Sequence, residues 1–223
     1  MAIGIPDEAL ISNNSQRLPC VLVIDGSGSM AGTPIGELNA GLKLLEQELK
    51  KDDVASQRVQ LLVIRFGDDD KVEVLADWQD AMDFQAPVVH ASGVTPMGDA
   101  VTLALAKIEE QKARYRTHGT AYNRPWLFLL TDGEPTDTGW DKAAAASRQA
   151  EQDGKVVFFG IAVGDANLET LAKFSTRRPV RLQGLKFREL FVWLSQSSKT
   201  ASRAAQDKNV QLPAPSDWAQ VPT

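Results

Sequence analysis

The chain has 223 residues, 43% of them hydrophobic and 24% charged, with a formal net charge of -5 and a sequence pI near 5.1. This fits one α/β domain whose core needs no staple, and the acidic balance argues against a broad nucleic-acid-binding face. No membrane span is visible, and the single cysteine, Cys20, cannot close an internal disulfide and reads as a small buried hydrophobe.

The expected organisation is an N-terminal extension over 1–17, one domain over 18–200 and a C-terminal tail over 201–223. Met1 to Arg17 lacks a charged segment followed by a long apolar run, so no secretory signal is visible and cytoplasmic residence is expected. Val21-Leu22-Val23-Ile24 reads as a fully buried parallel strand, ending abruptly in Asp25-Gly26-Ser27-Gly28-Ser29-Met30. Thr33-Pro34 looks like a helix start, with Thr33 as cap and Pro34 at the first helical position. Ile35, Leu38, Leu42, Leu45 and Leu49 then give one apolar face as far as about Lys51.

Val59 to Phe66 is the next strand, and Gly67-Asp68-Asp69-Asp70 turns it into Val72–Leu75, an antiparallel partner at a sheet edge. The three aspartates read as a solvated turn rather than a calcium loop, whose remaining spacing is missing. From Trp78 to Val94 no regular pattern is visible. Thr95-Pro96 repeats the pattern of Thr33-Pro34 ahead of a helix reaching roughly Tyr115. Trp126 to Leu130 is a second apolar strand that ends in acid, at Thr131-Asp132-Gly133. A helix over Asp141–Asp153, a strand over Val156–Val163, a short helix over Asn167–Phe174, an edge strand at Val180–Leu182 and a helix over Leu185–Ser198 complete the pattern. Arg177, Arg178 and Arg181 read as a solvated loop, and beyond Ala205 no regular element is expected, although Leu212 and Trp218 could pack back on the domain. Strands alternating with helices of this length predict a doubly wound, mostly parallel sheet with one antiparallel edge strand and helices on both faces.

Ligand sites in such sheets lie at the carboxyl ends of the strands, where the topology switches. Asp25 and Asp132 both end apolar strands. If those strands are neighbours, the two carboxylates face one crevice and repel unless a divalent cation is shared between them. Ser27, Ser29 and Thr95 would add neutral hydroxyls, an oxygen set suited to magnesium, with manganese or calcium as alternatives. So few protein charges would leave the ion electrophilic toward an acidic side chain from a partner. Each residue also has a plainer explanation: Ser27 and Ser29 as turn caps, Thr95 as a helix cap, Asp132-Gly133 as a turn pair.

In this order, Asp25-x-Ser27-x-Ser29, Thr95 and Asp132-Gly133 resemble the metal-ion-dependent adhesion site of von Willebrand factor A domains, with the likeness covering about residues 18–198. Gly93 to Gly98, Thr131 to Thr136, the stretch Leu185–Leu194 and the closing Trp218-Ala219 resemble the bacterial TerY-like proteins linked to tellurium resistance and stress. The resemblance implies a doubly wound fold, a site that holds magnesium or manganese and takes a partner's carboxylate through it, and no reaction centre. It also implies an assembly factor acting with a phosphatase and a kinase-like protein.

Two rival functions are weighed against this one. Gly26-x-Gly28-x-x-Ala31 fits a relaxed dinucleotide fingerprint, but Asp25 would stand beside the pyrophosphate and no acid follows at the ribose position. A magnesium-dependent hydrolase would need a nucleophile elbow around Ser27 or Ser29, or a base from His90 or His118, or a second acid where Ser27 stands. The expected function is therefore a non-enzymatic, metal-dependent binding module. Asp137 and Asp141 are placed either behind the site or, for Asp141, as a helix cap.

Overall fold

Leu18–Gly26 is buried at every position and forms strand β1, flanked by β2 (Val59–Gly67) and β4 (Trp126–Thr131), both parallel to it. The computed structural model describes Leu10, residues 13–203, Leu212 and residues 219–220. Burial on both faces explains the unbroken apolar runs of these strands. β3 (Lys71–Asp80) pairs antiparallel with β2, while β5 (Val157–Ala162) and β6 (Val180–Leu182) extend the sheet beyond β4 in parallel. This is the expected α/β architecture with its antiparallel edge strand.

β7 (Ala219–Gln220) was not anticipated: its two residues pair antiparallel with β6, giving the order β3-β2-β1-β4-β5-β6-β7. So short a strand has no period of its own and exists through its partner. β3 also runs to Asp80, past the expected end at Leu75, because its exposed face interrupts the apolar pattern. Leu212 packs on the core, whereas Trp218 and most of the two terminal segments lie outside the described residues.

Alternation along the strands sorts their side chains to two faces. Cys20, Leu22 and Ile24 meet α1 (Thr33–Lys50) and α6 (Phe187–Arg203) through Leu38, Leu42, Leu45, Phe187 and Leu194. Val21 and Val23 meet α3 (Met97–Thr117), α4 (Trp140–Gln152) and α5 (Leu168–Ala172) on the other side. A helix of one and a half turns, α2 (Asp53–Arg58), precedes β2. It is capped by Asp52, which accepts from the amides of Val54 and Ala55 at 3.1 and 2.8 Å. Its residues are too few for an apolar stripe to reveal. No helix among the described residues is long and apolar enough to cross a membrane.

Thr33 does not cap α1; it is the first helical residue, and the cap is Gly32 at φ 82. The left-handed backbone there lets the chain reverse out of the preceding turn, a conformation glycine reaches without steric cost. Cys20 is fully buried, and burial pushes its thiol up to about 12, as befits a packing residue rather than a nucleophile.

Residues 81–96 form a strap without helix or strand that runs over the α1 side to the carboxyl edge of the sheet. Its order comes from tertiary hydrogen bonds. The side chain of Asn39 both donates to Val89 O at 2.9 Å and accepts from Val89 N at 2.8 Å. Glu46, on α1, accepts from the Ala86 amide at 3.0 Å and from Lys43 and Lys50 at 2.7 and 3.0 Å. Burial raises the Glu46 carboxyl, but these three donors outweigh it and bring it down to about 2. A depressed folded value means that the stabilisation is present above the ordinary value of 4.5 and disappears as pH falls through 2. In urea titrations, Glu46→Gln lowers the midpoint at pH 7, and the gap to wild type closes between pH 4.5 and 2. A gap that persisted unchanged at acid pH would show that the charge on Glu46 does not hold the strap.

Candidate metal centre

β1 and β4 are neighbours at the point where the strand order reverses, with Ile24 opposite Leu130 in the ladder. Asp25 and Asp132 therefore leave the sheet side by side. Asp25 is fully buried; its Oδ1 accepts from the Ser27 amide at 2.8 Å and its Oδ2 from Thr131 Oγ1 at 2.5 Å. The Ser27 and Ser29 hydroxyls stand 3.0 Å apart, and Ser29 Oγ donates to Asp132 Oδ1 at 2.7 Å. Asp25, Ser27, Ser29 and Asp132 thus form one continuous polar cluster.

Thr95 reaches the same place from the strap. A Cβ on Gly133 would lie 3.3 Å from Thr95 Oγ1 and 3.9 Å from Asp25 Oδ2, so glycine at 133 keeps open the gap that these two oxygens flank. The backbone of Thr95 is fixed by two bonds to the post-β4 loop, from its amide to Thr136 Oγ1 at 3.0 Å and from the Thr136 amide to its carbonyl at 2.9 Å. Its hydroxyl does no capping. α3 starts at Met97, and the carboxylate of Asp137 accepts from the amides of Gly98 and Asp99 at 3.2 and 3.0 Å. Asp137 is thus a helix cap rather than a support behind the site, and Asp141 lies in the first turn of α4, whose cap is Gly139. The sequence could not reveal this exchange, because the capping acid lies 39 residues from the amide it serves.

Burial raises the Asp25 carboxyl above its ordinary value, hydrogen bonds from Ser27 and Thr131 oppose that, and the charge of Asp132 adds to it. Among the described residues, the partners of Asp25 are an amide and hydroxyls, all neutral, so its charge is held without a cation from them. A buried carboxylate beside a second one, lined by three hydroxyls and opening at the exposed Ser29, is a donor set that fits a hard divalent cation. No group of three or more His, Cys, Asp or Glu converges among the described residues, so such a site depends on hydroxyl oxygens. Thr131 went unrecognised in the sequence. A hydroxyl closing an otherwise apolar strand, next to Asp132, is the signal that could have found it.

The loop is poorly disposed toward phosphate. The amides of Ser27, Gly28, Met30 and Ala31 are spent on Asp25 Oδ1, Gly93 O, Ser27 O and Gly28 O, so they do not line a pyrophosphate cradle. As for a catalytic base, His118 ends α3, its ring Nδ1 2.9 Å from the Arg114 carbonyl, and His90 is exposed on the strap. Elsewhere, the arginines read as solvated have partners: Arg177 Nε meets Glu151 Oε1 at 3.0 Å, and Arg181 donates to Ala166 O at 2.8 Å. The Asp68–Asp70 turn is partly to fully exposed, as expected.

The family model of the von Willebrand factor type A domain matches residues 20–184. Among solved structures, the pilus adhesin SpaC of Lactobacillus rhamnosus GG superposes with a TM-score of 0.67 at 12% identity, over 84% of this chain and 32% of that one. The vWF domain of the type V pilus tip protein of Porphyromonas gingivalis gives 0.64 at 10% identity, over 87% and 99%. A paralogue of ArnB from Sulfolobus acidocaldarius gives 0.55 at 17% identity, over 82% and 46%. This chain therefore spans about a third of the SpaC chain and about half of the archaeal one. No curated protein matches by sequence.

Proposed function

The chain belongs to the von Willebrand factor type A family, and on that premise we propose that it is a non-enzymatic binding module that engages a protein partner through a divalent cation. Domains of this family commonly mediate protein–protein interaction, with metal dependence in some members. The observation that carries the reading is the junction of Asp25, Ser27, Ser29 and Asp132 at the strand crossover, with Thr95 brought beside them. Those five residues would hold the ion, magnesium first and manganese or calcium as alternatives. When bound, it would supply an electrophilic point able to accept a carboxylate oxygen.

The residues of this chain do the rest. Thr131 and the Ser27 amide orient Asp25 from behind, so both its oxygens are fixed before any ligand arrives. The paired backbone bonds between Thr95 and Thr136 set the strap against the post-β4 loop. Because the five protein oxygens leave one position of a six-coordinate ion open and only two of them are charged, a partner's Asp or Glu oxygen fits that position, and the exposed Ser29 lies on the side from which it would come.

The resemblance to TerY-like proteins extends the reading to a cytoplasmic assembly factor in a bacterial tellurium-resistance or stress system, with a phosphatase or kinase-like protein as partner. The proposed domain bounds are 18–200, with 1–17 and 201–223 as segments that join it through Arg17, the end of α6 and β7. Affinity capture from the native cell tests the core of this proposal. A partner retained in magnesium is released by EDTA, is not retained by Asp25→Asn, and loses binding when one particular acidic residue of its own is neutralised. Retention in excess EDTA would overturn metal-bridged binding. For the wider role, a deletion strain becomes tellurite-sensitive and is restored by the wild-type chain but not by Asp25→Asn; unchanged tolerance would remove the tellurium assignment alone.

A further inference from the structure

We propose that Arg65, outside the ligand set, is the positioning residue of the cation site: its buried guanidinium locks the Asp25–Ser29 loop to the strap that carries Thr95. The proposal rests on the cation-binding reading above. Arg65 stands near the end of β2, opposite Ile24 in the ladder, and continues the row of Leu61 and Val63 on the α1 side of the sheet. Only 6% of it is exposed. A strand buried on both faces has no packing need for a guanidinium at this position, and a buried cation is kept where it is bonded on several sides.

Its bonds fan across the loops that assemble the site. Nε donates to His90 O at 2.7 Å, and Nη2 donates to Ser92 Oγ at 3.1 Å and to Gly26 O at 3.4 Å. Gly26 directly follows Asp25. A Cβ there would stand 2.5 Å from Arg65 Nε and 2.8 Å from His90 O, so glycine is required for the side chain to pass beneath the loop. Ser92 then relays the contact. Its amide donates to Gly26 O at 2.7 Å, its hydroxyl to Asp68 Oδ1 at 3.0 Å, and its carbonyl accepts from the Asp68 amide at 2.7 Å. One residue further, Gly93 O accepts from the Gly28 amide at 3.0 Å, two positions before Thr95.

The guanidinium thus joins the β1 loop to the strap, Ser92 ties both to the β2–β3 turn, and two candidate ligands, Asp25 and Thr95, are each close in sequence to groups the guanidinium holds. A planar fork fixes several acceptors at set angles, whereas an ammonium on a flexible stem satisfies them without fixing their spacing. A five-oxygen site needs that spacing held within fractions of an ångström.

The test is calorimetric titration of manganese into folded wild type, Arg65→Lys, Ser92→Ala and Leu45→Ala, with urea unfolding of each apo protein. Leu45→Ala opens a cavity in the α1 core at a side chain that makes no bond in this network, and it reports stability loss alone. The expected result is a tenfold or greater loss of manganese affinity in Arg65→Lys and a roughly threefold loss in Ser92→Ala, with Leu45→Ala binding as wild type although it is the least stable of the four. Ser92→Ala, which keeps the guanidinium, carries the test if Arg65→Lys does not fold. Wild-type affinity in Arg65→Lys, or in Ser92→Ala if that is the only folded variant of the two, overturns the positioning role while the cation site stands. Absence of manganese binding by wild type overturns the site itself.

Discussion

Asp25→Asn abolishes cation-dependent stabilisation and leaves the metal-free protein at least as stable as wild type near pH 7. Both halves follow from the same burial. With no cation, the Asp25 carboxylate stands in a dry site beside Asp132, and its value is raised; stability linked to it is greatest at low pH and is lost as pH rises through the folded value. An amide has nearly the same shape and carries no charge. It still accepts the Ser27 amide with its oxygen, and it presents its NH2 to the Thr131 hydroxyl. With free magnesium at a hundred times its dissociation constant, wild type gains about 2.7 kcal/mol. That corresponds to about 5–10 °C in a chain of this size. The variant gains nothing. A thermal-shift series with and without magnesium reads both effects at once, and equal magnesium shifts in the two proteins would remove Asp25 from the site.

The second large effect lies at the opposite end of the sheet. Arg17 is fully buried, and its Nη2 stands 3.2 Å from Asp80 Oδ2, itself 3% exposed. Asp80 also accepts from Gln60 at 2.6 Å and Asn13 at 3.1 Å, while Gln60 Oε1 receives Gln111 at 2.9 Å and the Tyr115 hydroxyl. Burial lowers the Arg17 guanidinium below its ordinary value, and the carboxylate of Asp80 opposes that. Asp80→Ala removes a carboxylate from beside the buried guanidinium and an acceptor from Gln60, which costs about 3–5 kcal/mol. The apparent melting temperature falls by about 10 °C. Pairing Arg17→Met with Asp80→Leu recovers a substantial part of the loss, since a buried ion pair replaced as a unit costs far less than one broken in half. A loss below 1 kcal/mol for Asp80→Ala would show that water reaches the pair.

The first of these regions was legible in the sequence and the second was not. Asp25 and Asp132 could be found because each interrupts an unbroken apolar strand, and a doubly wound sheet has only one place where such interruptions meet. Ser27 and Ser29 followed from alternation, and the face of α1 from its 3.6-residue period. Arg17, Asp80, Arg65 and Asp137 were not legible, because each is defined by partners tens of residues away. Arg17 looks like any solvated arginine until Asp80 is folded onto it. Asp137 looks like an accessory to the metal site until α3 presents its free amides. The strap over 81–96 has no period because it is held by side-chain bonds to α1 and β2 rather than by a ladder of its own. Thr95, on that strap, reads better as a helix cap when taken alone before its proline, and it becomes a candidate ligand only in company with the oxygens of the other two loops.

One cation shared by oxygens from three separate loops is directly visible in an anomalous difference map from crystals grown with manganese. The expected map has a single strong peak in contact with Ser27, Ser29 and at least one of Asp25, Asp132 and Thr95, absent from crystals of Asp25→Asn. A peak elsewhere on the surface, or none at these residues with manganese in excess, would contradict a shared cation.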